Sequence, residues 1–163
     1  MYKKLFSLII FFSLVFSAFS ADIVKTTHTF AEREGVPLQL DIYKNKLNAT
    51  TRPVLLFVFG GGFKEGTRDQ ESYLDYYRYF AENGFTVVAI DYRLGLKDEK
   101  APGIFNQKPL RRAIGLAVED LYAATDYLIK NADELLIDIS KIIISGSSAG
   151  AITVLHADYE HRN

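Results

Sequence analysis

The sequence predicts an α/β fold with a largely parallel sheet, and three observations carry that expectation. PVLLFVF (53–59), FTVVAIDY (85–92) and KIIISG (141–146) are short apolar runs of the kind that form strands buried on both faces. Segments 72–84 and 110–135 lie between them and read as helices, the second repeating its apolar residues with a helical period. Strand and helix alternating in this way build βαβ units, whose crossovers are right-handed.

The first twenty residues stand apart. Lys3 and Lys4 precede the apolar run LFSLIIFFSLVFSAF, and Ala18 and Ser20 place small residues before a cut between Ser20 and Ala21. That is the pattern of a secretory signal peptide. A membrane anchor is the alternative, but the run is shorter than the roughly 20 residues a spanning helix needs, and Asp22 follows at once. The expected organisation is a signal peptide over 1–20 and one partial domain over 21–163. The chain has no Cys, so it carries no disulfide and no lipidation site, which suits a secreted or periplasmic protein with an ordinary core.

DIVKTTHTF and VPLQLDIYK are β-rich and joined by EREG. In the second, Val36, Leu38, Leu40 and Ile42 alternate with Pro37, Gln39, Asp41 and Tyr43, the period of a half-buried strand. An antiparallel hairpin at a sheet edge is expected. Segment 72–84 reads as a helix with Ser72 at the N-cap and Gly84 just past its end. A loop with Gly95, Pro102, Gly103 and Pro109 follows the second buried strand. In helix 110–135, Ile114, Ala117, Val118, Leu121, Ala124, Thr125 and Leu128 recur at three- and four-residue steps. SAGAITVLHADYEHR reads as the last helix.

Two glycine-bearing bends carry the chemistry. Gly146-Ser147-Ser148-Ala149-Gly150 fits G-x-S-x-G with Ser148 central, between a strand and a helix. Such an elbow holds its serine in strained backbone with the hydroxyl exposed, and a side chain at 146 or 150 would collide with neighbouring elements. Gly60-Gly61-Gly62 follows the first buried strand, and consecutive glycines let backbone N–H groups approach a ligand. A phosphate-binding P-loop is excluded because no Gly-Lys-Ser/Thr follows. A dinucleotide fingerprint fails on register, since its third glycine position falls on Glu65. A plain flexible turn stays open.

The order strand, FGGGF, helix, strand, DYRL, helix, strand, GSSAG resembles the α/β-hydrolase superfamily, in particular its carboxylesterase and hormone-sensitive-lipase-like branch, over residues 36–163. The resemblance implies a three-layer fold, with Ser148 as nucleophile and the N–H groups of Gly61, Gly62 and Ala149 as the oxyanion hole. Gly146 and Gly150 are then the elbow glycines. Phe59 departs from the histidine common before the glycines in that branch, a residue that supports the loop. Asp91 and Arg93 read as a charge pair or backbone anchors for that loop.

A serine nucleophile needs a base. His156, His161, Asp158 and Glu160 all fall on the helix that Ser148 begins. At 1.5 Å per residue, His156 is roughly 12 Å and His161 roughly 20 Å along the axis from Ser148, beyond the reach of a hydrogen bond. His28 belongs to the N-terminal hairpin, at the far edge of the sheet. In the superfamily the acid and histidine follow the serine, so the sequence reads as a fold truncated after the elbow helix, with KIIIS left as an open apolar edge.

The resemblance implies a serine hydrolase acting on carboxylic esters, small or polysaccharide-linked, with acetyl and feruloyl esters of plant polysaccharides among them if the source degrades carbohydrate, and the first twenty residues imply that it is secreted. A serine peptidase of the same fold and a non-catalytic hydrolase-fold binding protein are the alternatives. A formal charge of −1 and no basic cluster argue against a nucleic-acid partner. Three dispersed His and no Cys give no metal-ligand spacing, and no cofactor is expected. The run Tyr73, Tyr76, Tyr77 and Tyr79 reads as helix packing.

Overall fold

A computed structural model describes residues 22–46, 50–99 and 107–162. The segment expected to be a signal peptide lies outside them. Among the described residues no helix is long and apolar enough to cross a membrane.

Strands β1 (Ile23–Arg33) and β2 (Val36–Asn45) form the expected antiparallel hairpin. Glu34 and Gly35 at its tip have φ of 53° and 78°, the positive pair that a type I′ turn requires. Leu38, Leu40 and Ile42 are buried as their alternation predicts, but Val36 at the hairpin tip is exposed, and Asp41 and Tyr43 on the other face are buried too, Tyr43 against the Tyr77 ring.

Strand β3 (Arg52–Val58) leads through the glycine bend to helix α1 (Glu71–Glu82), and β4 (Thr86–Ile90) follows. The N-cap of α1 is Gln70, not Ser72, because the Gln70 carbonyl already accepts the Tyr73 N–H at 2.9 Å. Gly84 has φ of 91° just past Asn83, the left-handed stop its sequence position predicts.

The long helix divides in two. Helix α2 (Gln107–Lys130) starts earlier than expected, with Pro109 in a first turn that needs no N–H. Asn131 then bonds back to the Tyr127 carbonyl through both its backbone N–H and its side-chain amide, and a short α3 (Ala132–Leu135) follows. Strand β5 (Ile137–Gly146) and helix α4 (Ala149–Arg162) complete the fold.

The sheet order is β1-β2-β4-β3-β5, with β3 parallel to both β4 and β5. The two crossovers run in opposite directions along the sheet, so right-handed connections put α1 on one face and α2 on the other. On the first face Phe57 packs its ring against Tyr73, Tyr76 and Tyr77 of α1, with centroids 4.9–5.4 Å apart. On the second, the Tyr122 hydroxyl of α2 donates to the Ala157 carbonyl of α4. Strands β3 and β4 are buried throughout from Val54 to Val58 and from Thr86 to Ile90. Strand β5 is not buried on both faces as its apolar run alone predicts, and it lies at the sheet edge as expected for KIIIS. Ile143 and Ile144 are 52% and 37% exposed, because among the described residues β5 has a neighbour on one side only.

Candidate active site

Because β3 and β5 are parallel neighbours, the bends that follow Val58 and Gly146 emerge at the same end of the sheet. Ser148 sits at the tip of the second bend, exposed, with φ of 49°. A non-glycine residue in the left-handed region is strained by about 1–2 kcal/mol, so the surrounding structure must impose it. It does so with backbone. Ser147 N–H donates to the Val58 carbonyl at 3.1 Å, tying the elbow to β3, and Gly150 N–H closes onto the Ser147 carbonyl at 2.8 Å.

The elbow glycines are needed for space. A Cβ on Gly146 would lie 2.5 Å from the carbonyl carbon of Gly150, and one on Gly150 would lie 2.0 Å from the Val58 carbonyl oxygen. The first glycine bend is as tightly wound. Gly61 has φ of 130° and Gly62 of 65°, and the Gly61 carbonyl accepts the N–H groups of both Lys64 and Glu65. Phe63, at φ of 59° and almost wholly buried, anchors the far side, where its carbonyl accepts the Leu96 N–H at 2.9 Å.

The two bends touch. A Cβ on Gly60 would stand 3.2 Å from the Ser148 Cβ. A groove of about 460 Å³ lies between them, lined by Gly61, Gly62, Ser148 and Ala149, by the apolar Phe63, Leu96, Leu110 and Ile152, and by Lys64 and Glu65. Among the described residues, the N–H groups of Gly61 and Gly62 donate to no other part of the chain. Ala149 opens α4, where the first N–H groups have no partner within the helix. The site therefore combines a hydroxyl in strained backbone with three residues whose amides have no backbone partner among the described residues, all lining one groove.

Charged anchors hold the base of the site. Arg68, beyond the glycine bend, donates to Asp91 at 2.7 Å and lies 3.2 Å from Asp41, an ion contact without hydrogen-bond geometry at its Nε. Burial alone would raise the Asp41 pKa, but bonds from Thr27 and Lys25 and the charge of Arg68 bring it below the usual range. Arg93 bonds instead to buried Asp120 and to Glu119, so Asp91 and Arg93 each anchor the loop through different partners. Asp120 foremost, with Glu119, holds the Arg93 pKa above its ordinary value against the effect of burial.

The described imidazoles lie elsewhere. His28, on the edge strand β1, bonds to the Tyr127 hydroxyl at 3.1 Å and to Thr26. His156 pairs with Glu160 at 3.3 Å along α4, and His161 sits farther along the same helix. Among the described residues no three His, Cys, Asp or Glu side chains cluster as metal ligands. Two residues near the site carried no functional signal in sequence. Tyr73 accepts the Gly60 N–H at 3.2 Å, and Tyr92 donates to the Phe59 carbonyl at 3.1 Å.

This layout is that of α/β hydrolases of the esterase kind, and comparison with known proteins agrees. The BD-FAE family model matches residues 40–162, and the chain belongs to that esterase-like α/β-hydrolase family. Gut esterase 1 of Caenorhabditis elegans is 32% identical over 117 residues, which are 72% of this chain and 20% of that protein. Acetyl esterase of Salmonella schwarzengrund (strain CVM19633) is 32% identical over 107 residues, covering 65% of this chain and 28% of that one. Among solved structures, Thermogutta terrifontis esterase 2 phosphorylated by paraoxon aligns with a TM-score of 0.63 at 30% identity, over 77% of this chain and 44% of that one. The same esterase with propionate bound aligns with a TM-score of 0.61 over 80% of this chain and 42% of that one. The chain thus spans less than half the length of each of these relatives.

Proposed function

We propose that this chain carries the nucleophile and oxyanion portion of a secreted serine esterase acting on carboxylic esters. The observation that carries the reading is Ser148, held at φ of 49° at the mouth of a groove shared with Gly61, Gly62 and Ala149. Its hydroxyl oxygen attacks the ester carbonyl carbon, and the carbonyl electron pair moves onto oxygen. The amides of Gly61, Gly62 and Ala149 stabilise that oxyanion. Collapse expels the alcohol and leaves an acyl-serine, which water then cleaves to the free acid, restoring the hydroxyl.

Both steps need a base for the serine proton and then for water. No described imidazole is bonded to Ser148, and His28 and His156 are engaged elsewhere. The reading therefore takes the acid and histidine from sequence outside residues 22–162. The fraction of each relative that this chain spans, and the single-sided pairing of β5, support it. The apolar part of the groove lining, Leu96, Leu110 and Ile152, offers an aliphatic acyl group apolar contacts, beside the charged Lys64 and Glu65. The propionate-bound and butyrate-bound Thermogutta esterase points to the short-chain end of that class. Export rests on residues 1–20.

A fluorophosphonate probe tests the assignment. In a chain that includes the rest of the fold, labelling at Ser148 is expected, with none in Ser148→Ala. Labelling that persists in Ser148→Ala removes the assigned nucleophile. That the described imidazoles, His28 and His156, are engaged elsewhere also favours a second reading, a binding protein on a hydrolase scaffold. Silence from the extended chain with an intact groove would select it.

A further inference from the structure

We infer that Tyr73 and Tyr92 are positioning residues that together fix the Phe59–Gly60 peptide and so hold the Gly61 and Gly62 amides toward Ser148. The inference rests on reading those amides as oxyanion donors. Strand β3 ends at Val58, whose carbonyl takes the last bond to the neighbouring strand side, from Ser147 N–H. The next peptide, Phe59–Gly60, has no ladder partner, yet Phe59 and Gly60 are both buried. A buried peptide must be satisfied by other groups.

Two tyrosines from different elements do this. Tyr92, just past β4, donates its hydroxyl to the carbonyl of that peptide, and Tyr73 of α1 accepts the N–H of the same peptide. One peptide plane is thus gripped at both ends, so rotating it breaks both bonds at once. The Phe59 ring stacks on Tyr92 with centroids 4.4 Å apart and planes 28° apart, which aims the Tyr92 hydroxyl at the carbonyl. Gly66 closes over the other side, where a Cβ would lie 2.8 Å from the Phe59 ring. Burial, with a smaller contribution from Tyr73, pushes the Tyr92 pKa upward, which keeps that hydroxyl a donor. Phe59 brings no polar side-chain group of its own, so the two hydroxyls supply the polar contacts of this peptide.

Tyr73→Phe, Tyr92→Phe and the double variant remove the hydroxyls and keep the rings. Hydrogen exchange read by mass spectrometry over residues 59–66 needs neither substrate nor activity. Each single change is expected to speed exchange there on the order of 2- to 10-fold, with β4 unchanged. In the esterase-competent protein, kcat for a nitrophenyl ester falls by a similar factor while KM stays within about twofold. Unchanged exchange over 59–66 in the double variant overturns the inference. Faster exchange with an unchanged kcat overturns it as well, since the loop would then be held without serving the amides. An inactive wild-type protein counts against the esterase reading alone, and the exchange result still decides whether the hydroxyls set the loop.

Discussion

Replacing Gly150 with alanine adds one methyl where helix α4 crosses β3. That methyl would stand 2.0 Å from the Val58 carbonyl oxygen and 2.6 Å from that of Phe59. Ordinary contact needs roughly 3.5 Å, so the backbones must part by on the order of 1.5 Å. Val58 cannot yield, being fully buried and paired with both β4 and β5. Helix α4 has to lift, which strains the Ser147–Val58 bond that sets the elbow. Overpacking of this kind costs about 1–3 kcal/mol, and a lost hydrogen bond about 1 more. The expected destabilisation is therefore about 2–4 kcal/mol. Gly115→Ala is the control. It sits in α2 with nothing within 4 Å of its Cβ position, and gains about 0.5–1 kcal/mol from helix propensity. Urea unfolding followed by circular dichroism reads both. A Gly150→Ala unfolding free energy within about 0.5 kcal/mol of wild type would refute the packing argument.

Two more perturbations probe the anchors and the edge. The native Asp41 pKa lies below the ordinary 3.8, so its carboxylate contributes stability fully above that pH and loses it as pH falls through the lower native value. Asp41→Asn is expected to lose about 3 kcal/mol at neutral pH, with the gap narrowing in acid; thermal melts showing a pH-independent gap would contradict this. On β5, Ile143→Lys places a charge on the open edge beside Ile139 and Ile144. Sedimentation of the 163-residue chain should show less concentration-dependent association in the variant, and equal association would place the sticky surface elsewhere.

The two glycine bends were legible because their need for glycine is local. Gly61 and Gly146 stand where a Cβ meets backbone four or five residues on, while Gly150, which meets the distant Val58 and Phe59 carbonyls, was legible through its place in the G-x-S-x-G pattern. The hairpin was legible for the same reason, through the period of Val36 to Ile42. The apolar run of β5 records composition and not how many neighbours flank it, so the run alone read as buried, whereas the missing partners after Ser148 pointed to an open edge, where Ile143 is exposed. The break at Asn131 was hidden inside a continuous helical pattern, since the bond from Asn131 back to Tyr127 leaves no periodic mark. The Tyr73 and Tyr92 contacts were invisible for a deeper reason. They join residues 13 and 33 positions apart through a peptide whose orientation only the folded sheet defines. Arg68 likewise gave no local sign of its ties to Asp41 and Asp91.

The strand order has a consequence of its own. From β3 the chain moves one way to lay down β4, then doubles back across β3 to lay down β5. Connections leaving adjacent strands thus diverge to opposite faces, and a crevice opens above the carboxyl ends at that reversal. The hollow beside Ser148 is a by-product of how the chain is threaded, present before any lining side chain is chosen. Changes at Leu110 or Ile152 can retune what fits there without redrawing the sheet that creates the hollow.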